Sequence, residues 1–152
     1  MNASRMIGLF FLAMAVHWLW VSHFSLWGLS PQVLLVLTVT AAARWGSVSA
    51  MCLGFLWGLF LDVLNVRLFG GNALALTLIG YGTGSLRRQL DMTGLAPQCF
   101  VVFLMTWVYF LLLGLLGVVF ARGFLWAGWA QFFLAPFYNV IVASVLFEGI
   151  KP

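Results

Sequence analysis

Residues 54–88 read GFLWGLFLDVLNVRLFGGNALALTLIGYGTGSLRR, an apolar run broken by regularly spaced glycines and by a single carboxylate. Gly54, Gly58 and Asp62 stand four apart, which on a helix puts them on one slowly drifting stripe. Glycines on such a stripe let another backbone approach closely, and in lipid it is packing, not exclusion of water, that drives helices together. Gly80 and Gly84 repeat the device on the next segment, beside the aromatic Tyr81. Gly54, Gly58, Gly80, Gly84 and Tyr81 are the expected helix-packing or partner interface.

Asp62 needs its own account, because an unpaired carboxylate in hydrocarbon costs roughly 2.5–3.5 kcal/mol on insertion scales. Counted from Gly46, it falls near the far end of its segment, where headgroups, water or Arg67 can satisfy it. Beyond it Gly70 and Gly71 permit a tight reversal, and Asn72 is suited to cap the following helix. The amino end of that helix carries partial positive charge, which stabilises a nearby carboxylate. Asp62, Gly70, Gly71 and Asn72 therefore read as a structural clasp on a helical hairpin. A proton or solute site at Asp62 is the other reading.

Working outward, the 152-residue chain is 64% hydrophobic and 7% charged, too little polar surface for a water-soluble domain. It reads as an all-α integral membrane protein whose single membrane domain occupies residues 1–152, with no room for a soluble catalytic unit. Hydropathy divides it into six predicted transmembrane helices, roughly 6–22, 31–43, 46–63, 71–88, 98–120 and 124–147. The second is short, about 20 Å at 1.5 Å per residue, so it is expected to tilt at a thinned edge or to extend through its flanking loop. Its start is marked by Ser30 as N-cap and Pro31 at the first helical position. The basic start and apolar run at the N-terminus lack a small-residue cleavage site and read as a retained first helix.

Seven basic residues against three acidic ones give a net charge of +4, but the arginines are scattered beside apolar runs. They report topology, and no nucleic-acid partner is expected. Placing the N-terminus inside puts Arg5, Arg44, Arg87, Arg88 and Lys151 in the cytoplasm and leaves Arg67 and Arg122 outside. Both termini are then cytoplasmic. Trp18, Trp20 and Trp27, and Trp126 with Trp129, suit interfacial anchors. Arg87 and Arg88 close the fourth segment as a cytoplasmic anchor beside anionic lipid, or as a docking point for a cytosolic partner.

In the sixth segment Gln131, Ala135 and Asn139 share a face, and Pro136 breaks the hydrogen-bond ladder. That face is expected to look into the bundle, where neighbours satisfy the freed carbonyl. Cys52 and Cys99 show neither CxxC nor Cys/His clustering and read as small core residues. His17 and His23 are six apart, and the chain has no HExxH, GxSxG or paired membrane carboxylates. No catalytic residue, metal or cofactor is called for; Ser22 beside His23 is the nearest approach to a nucleophile and base.

The stretch 54–88 also resembles the signature of the rod shape-determining protein MreD family: a glycine-spaced helix ending in Asp62, a Gly-Asn-Ala-Leu start at Gly71, then Tyr81, Gly84 and the terminal arginines. Gly71 departs from it, since members usually carry a longer apolar residue there. The resemblance implies a non-enzymatic inner-membrane scaffold of the bacterial cell-elongation complex. It would bind MreC, and through it connect to MreB, RodA and a penicillin-binding transpeptidase to support side-wall peptidoglycan synthesis and rod shape. Such families are also similar in fold to the substrate-binding subunits of energy-coupling-factor vitamin transporters. A solute-binding subunit of that kind is the alternative function.

Overall fold

A computed structural model describes residues 3–24, 32–64, 68–92 and 94–149. They form six helices: α1 (Ala3–Phe24), α2 (Val33–Trp45), α3 (Ser47–Leu64), α4 (Gly71–Leu86), α5 (Leu95–Ala121) and α6 (Trp129–Gly149). Three of these, Ser47–Leu64 in α3, Leu95–Phe120 in α5 and Trp129–Phe147 in α6, are long and apolar enough to cross a membrane.

The short α2 is the axis of the bundle. Every residue from Val33 to Ala43 except Leu37 is buried, and α1, α3, α4, α5 and α6 all pack against it. Its apolar character serves protein contacts, so its 13 residues, about 20 Å, need not match a bilayer. Thr38 and Thr40 lie in this core with their hydroxyls donating to the carbonyls of Leu34 and Val36, 2.7 Å each, which satisfies groups that would otherwise be costly to bury. The helix starts later than expected: Gln32 occupies the N-cap position, while Ser30 and Pro31 lie outside the described residues.

The most extensive pairing in the fold is α3 against α4, and the glycines explain it. A methyl group on Gly58 would stand 2.4 Å from the Ala73 Cα, and one on Gly54 2.7 Å from the Leu76 carbonyl oxygen. From the other side, Gly84 faces the Ser47 Cα at 2.4 Å and Gly80 the Ala50 backbone at 2.9 Å. Each helix thus supplies two glycines against the other's main chain, and the hairpin closes to backbone contact along its length.

The α5–α6 pair is built differently. Phe103 meets both Trp107 and Phe137, with ring centroids 4.9 and 5.3 Å apart, and Trp107 stacks on Phe132 at 6.2 Å. Pro136 lies inside α6 and has no N–H to give the carbonyl of Phe132, four residues earlier. The indole Nε1–H of Trp107 donates to that oxygen at 3.0 Å, so a side chain from α5 fills the gap in the α6 ladder.

The expected sixth span, 124–147, is corrected at its start. Residues 124–128 are not helical, and α6 begins at Trp129. Arg122 takes a left-handed conformation (φ 55°), and its N–H and that of Gly123 both donate to the Gly117 carbonyl, turning the chain back. Phe124 then lies over Gly114, and Leu125 over Gly117, where a Cβ would come within 2.3 and 2.5 Å of them. Gly128, at φ 94°, redirects the chain into α6 with a backbone that side-chain-bearing residues rarely adopt.

Candidate functional site

Asp62 ends the glycine stripe of α3 and is 1% exposed. One carboxylate oxygen accepts from the Asn72 backbone N–H at 2.9 Å and from the Asn72 side-chain amide at 2.8 Å. The other accepts from the Ala73 N–H at 3.0 Å. Asn72 and Ala73 are the second and third residues of α4, whose N–H groups a local N-cap side chain would ordinarily engage. Gly70 holds the N-cap position in a left-handed conformation (φ 89°) and has no side chain to offer. The carboxylate reaches across the hairpin and caps α4 from α3. Hydrogen bonds to a charged acceptor are roughly twice as strong as neutral ones, and the helix dipole adds to them.

Asn72 does not cap the helix as expected. It is already inside the first turn, donating its amide to Asp62 and accepting from the Tyr109 hydroxyl of α5. Tyr109 is buried and ties a third helix to the hairpin. Gly71 has the Leu68 side chain as its near neighbour, 2.6 Å from where a Cβ would sit; a longer residue there displaces only a flexible leucine. Arg67 lies outside the described residues.

A second polar node lies a turn away on α5. Asn139, wholly buried on α6, accepts from the Gln32 backbone N–H at 3.0 Å and donates to the Thr106 hydroxyl at 3.0 Å. The Thr106 hydroxyl itself donates to the Val102 carbonyl at 2.8 Å. An amide on α6 therefore serves the start of α2 as the carboxylate on α3 serves the start of α4. Ala135 and Asn139 both face the bundle and Gln131 is half-buried.

Gly54, Gly58, Gly80 and Gly84 are all buried between α3 and α4, so a partner helix has no access to them. Tyr81 is 55% exposed on the outer side of α4. Arg87 and Arg88 are exposed beyond the end of α4, with the Arg87 guanidinium beside Gly46 at the α2–α3 junction. Trp18, Trp126 and Trp129 are exposed, whereas Trp27 lies outside the described residues, as do the side chains of Trp20, Ser22 and His23. Among the described residues no three potential metal ligands gather in one place.

The sequence pattern of the family described as rod shape-determining protein MreD matches residues 2–150 of the chain. The chain belongs to that family. It is accordingly a membrane protein with a role in determining rod shape. None of the curated proteins and none of the solved structures matches it. In this MreD-family chain the clasp joins the two helices that carry the glycines, and Tyr109 adds a third contact that composition gives no reason to single out. A tyrosine in the 27-residue apolar helix α5 reads as one more aromatic until the fold sets it against Asn72.

Proposed function

We propose that this protein is a non-enzymatic scaffold of the cell-elongation complex in the bacterial inner membrane, binding MreC and thereby supporting side-wall peptidoglycan synthesis. Through MreC it connects to MreB, RodA and a penicillin-binding transpeptidase. In this reading all six helices cross the membrane and both termini are cytoplasmic. Arg44 and Arg87 sit at the same end of the bundle, by the α2–α3 junction, as the cytoplasmic excess of arginine requires.

The observation that carries the reading is the use made of the polar groups. The buried Asp62, Thr106 and Asn139 and the half-buried Asn72, the polar groups best placed for chemistry, are engaged in holding helix ends and helix pairs together. A rigid frame with an apolar exterior is what a membrane scaffold needs. Because the glycine stripes are spent inside the hairpin, MreC docks on an outward surface, and the exposed face of α4 around Tyr81 is the one to probe.

Co-expression with MreC followed by affinity purification and size exclusion in mild detergent tests this. The wild-type chain is expected to retain MreC, and Tyr81→Ala to release it at unchanged melting temperature. A well-folded wild-type chain that does not retain MreC sinks the proposal; retention by Tyr81→Ala equal to wild type moves the interface off this face.

A further inference from the structure

Where α2 ends and α4 runs into its connection to α5 lies a recess of about 160 Å3, lined by Ala43, Arg87, Leu90, Asp91 and Met92. It lies at the far end of α4 from the Asp62 clasp.

The main chain that carries this wall is fixed by local bonds. Past α4 the N–H groups of Arg88 and Gln89 donate to the carbonyls of Ser85 and Leu86 at 3.1 and 2.9 Å, and that of Leu90 donates to Leu86 at 2.8 Å. The Met92 side chain is buried, and its carbonyl accepts from the Gln98 amide of α5. On the other side the Arg87 guanidinium stands beside Gly46, 3.7 Å from where a Cβ would sit. Gly46 holds a φ of 87°, a conformation that side-chain-bearing residues rarely adopt, so the α2–α3 turn leaves the guanidinium uncrowded.

The two charged groups of the wall have opposite signs. A guanidinium offers a planar fork of N–H donors that matches a phosphate, and the two oxygens of a carboxylate accept several hydrogen bonds between them. A simple anion entering the recess meets the repulsion of Asp91, and a simple cation that of Arg87. A ligand that carries both charges satisfies both groups. Thr93, which lies outside the described residues, follows in the chain and brings no charge.

The surroundings point to a lipid as the bearer of those charges. Leu90 in the wall and Trp45, two residues beyond Ala43, are both exposed. Exposed apolar groups beside a polar recess, at the end of an apolar bundle, suit the depth where headgroups meet acyl chains, and an indole is at home there.

We propose that the recess binds the phosphoethanolamine headgroup of a phospholipid, with the phosphate on the Arg87 guanidinium, the primary ammonium on the Asp91 carboxylate and the glycerol esters along Leu90 and Trp45. Arg44 and Arg88, next to the wall in sequence, attract membrane phosphates of every kind; Asp91 is the group that selects a lipid with N–H donors. The proposal rests on the topology above, which places this end at the inner leaflet. It is read on the chain alone, so its failure is distinguishable from a failure to retain MreC.

The test is native mass spectrometry of the full chain in detergent with equal amounts of dioleoyl phosphatidylethanolamine, phosphatidylglycerol and phosphatidylcholine. One phosphatidylethanolamine per chain is expected as the main adduct, because phosphatidylglycerol has no cation and the quaternary ammonium of phosphatidylcholine has no N–H. Asp91→Asn should lower the preference for phosphatidylethanolamine over phosphatidylglycerol about tenfold, and Arg87→Gln should weaken retention of both. Both side chains are exposed, so lipid-free melting temperatures should match wild type. Wild-type retention of phosphatidylglycerol or phosphatidylcholine equal to that of phosphatidylethanolamine, or an Asp91→Asn chain with the wild-type preference, overturns the proposal.

Discussion

The α3–α4 and α5–α6 hairpins solve the same packing problem with opposite materials. In α3–α4 the helices touch main chain to main chain through Gly54, Gly58, Gly80 and Gly84, and a carboxylate locks the turn. In α5–α6 they are held apart by rings, Phe103 and Trp107 against Phe132 and Phe137, and an indole mends the ladder broken by Pro136. Backbone contact leaves no atom free to move aside, whereas an aromatic layer can shift a ring. The first hairpin should be brittle toward added volume and the second tolerant of it.

The largest effect is therefore expected at Gly58. Gly58→Leu brings a Cβ to 2.4 Å from the Ala73 Cα, and since that neighbour is main chain, the helices must separate; overpacking of this kind costs about 1–3 kcal/mol or more. Loss of the monodisperse peak in detergent chromatography is the readout. Added volume on the aromatic side, Phe103→Trp between Trp107 and Phe137, should leave the peak intact. Equal damage at both positions would break the contrast.

Next comes the clasp. Asp62→Asn keeps one acceptor but aims an N–H2 at donors that now have no partner, and an unsatisfied buried donor costs about 1–3 kcal/mol. A clear drop in melting temperature is expected, with Asn72→Ala lowering it less, because the backbone N–H contacts to Asp62 survive. Unchanged melting of Asp62→Asn would show that neither the clasp nor any site there depends on charge.

Asn139→Leu removes the partner of both the Gln32 N–H and the Thr106 hydroxyl. About 1–3 kcal/mol is at stake, reduced to the extent that water reaches Gln32, which is only half-buried. The smallest effect belongs to Trp107→Phe, which keeps a ring between Phe103 and Phe132 and loses one hydrogen bond to the Phe132 carbonyl, about 1 kcal/mol. If Pro136→Ala in the same chain restores the loss, the indole acts through the broken ladder, because the alanine N–H then takes that carbonyl.

How much of this could be read from the sequence depended on whether the signal was local. The glycine spacing, the position of Asp62 before a Gly-Gly turn and the proline gap in α6 are patterns within a few residues, and each bears on a contact the fold makes. The identity of the partner atoms is not local. Tyr109 lies 37 residues from Asn72, inside a run where tyrosine and phenylalanine look alike by hydropathy. Hydropathy also could not tell that α2 is apolar because it is surrounded by protein and not because it meets lipid. It likewise ran residues 124–128 into α6, because Phe124 and Leu125 are apolar for the sake of Gly114 and Gly117 beneath them.

The clasp also sets an order of events during biosynthesis. Asp62 leaves the ribosome about ten residues ahead of the N–H groups of Asn72 and Ala73 that complete it, so α3 on its own presents an unpaired acid to the lipid. The partner helix, once synthesised, removes that penalty; in the proposed topology, where both helices cross, the hairpin and not the single helix is then the unit that enters the bilayer. A nascent chain arrested before α4 should integrate α3 poorly, and one extended through Arg88 should recover it; Asp62→Leu should make integration independent of that extension.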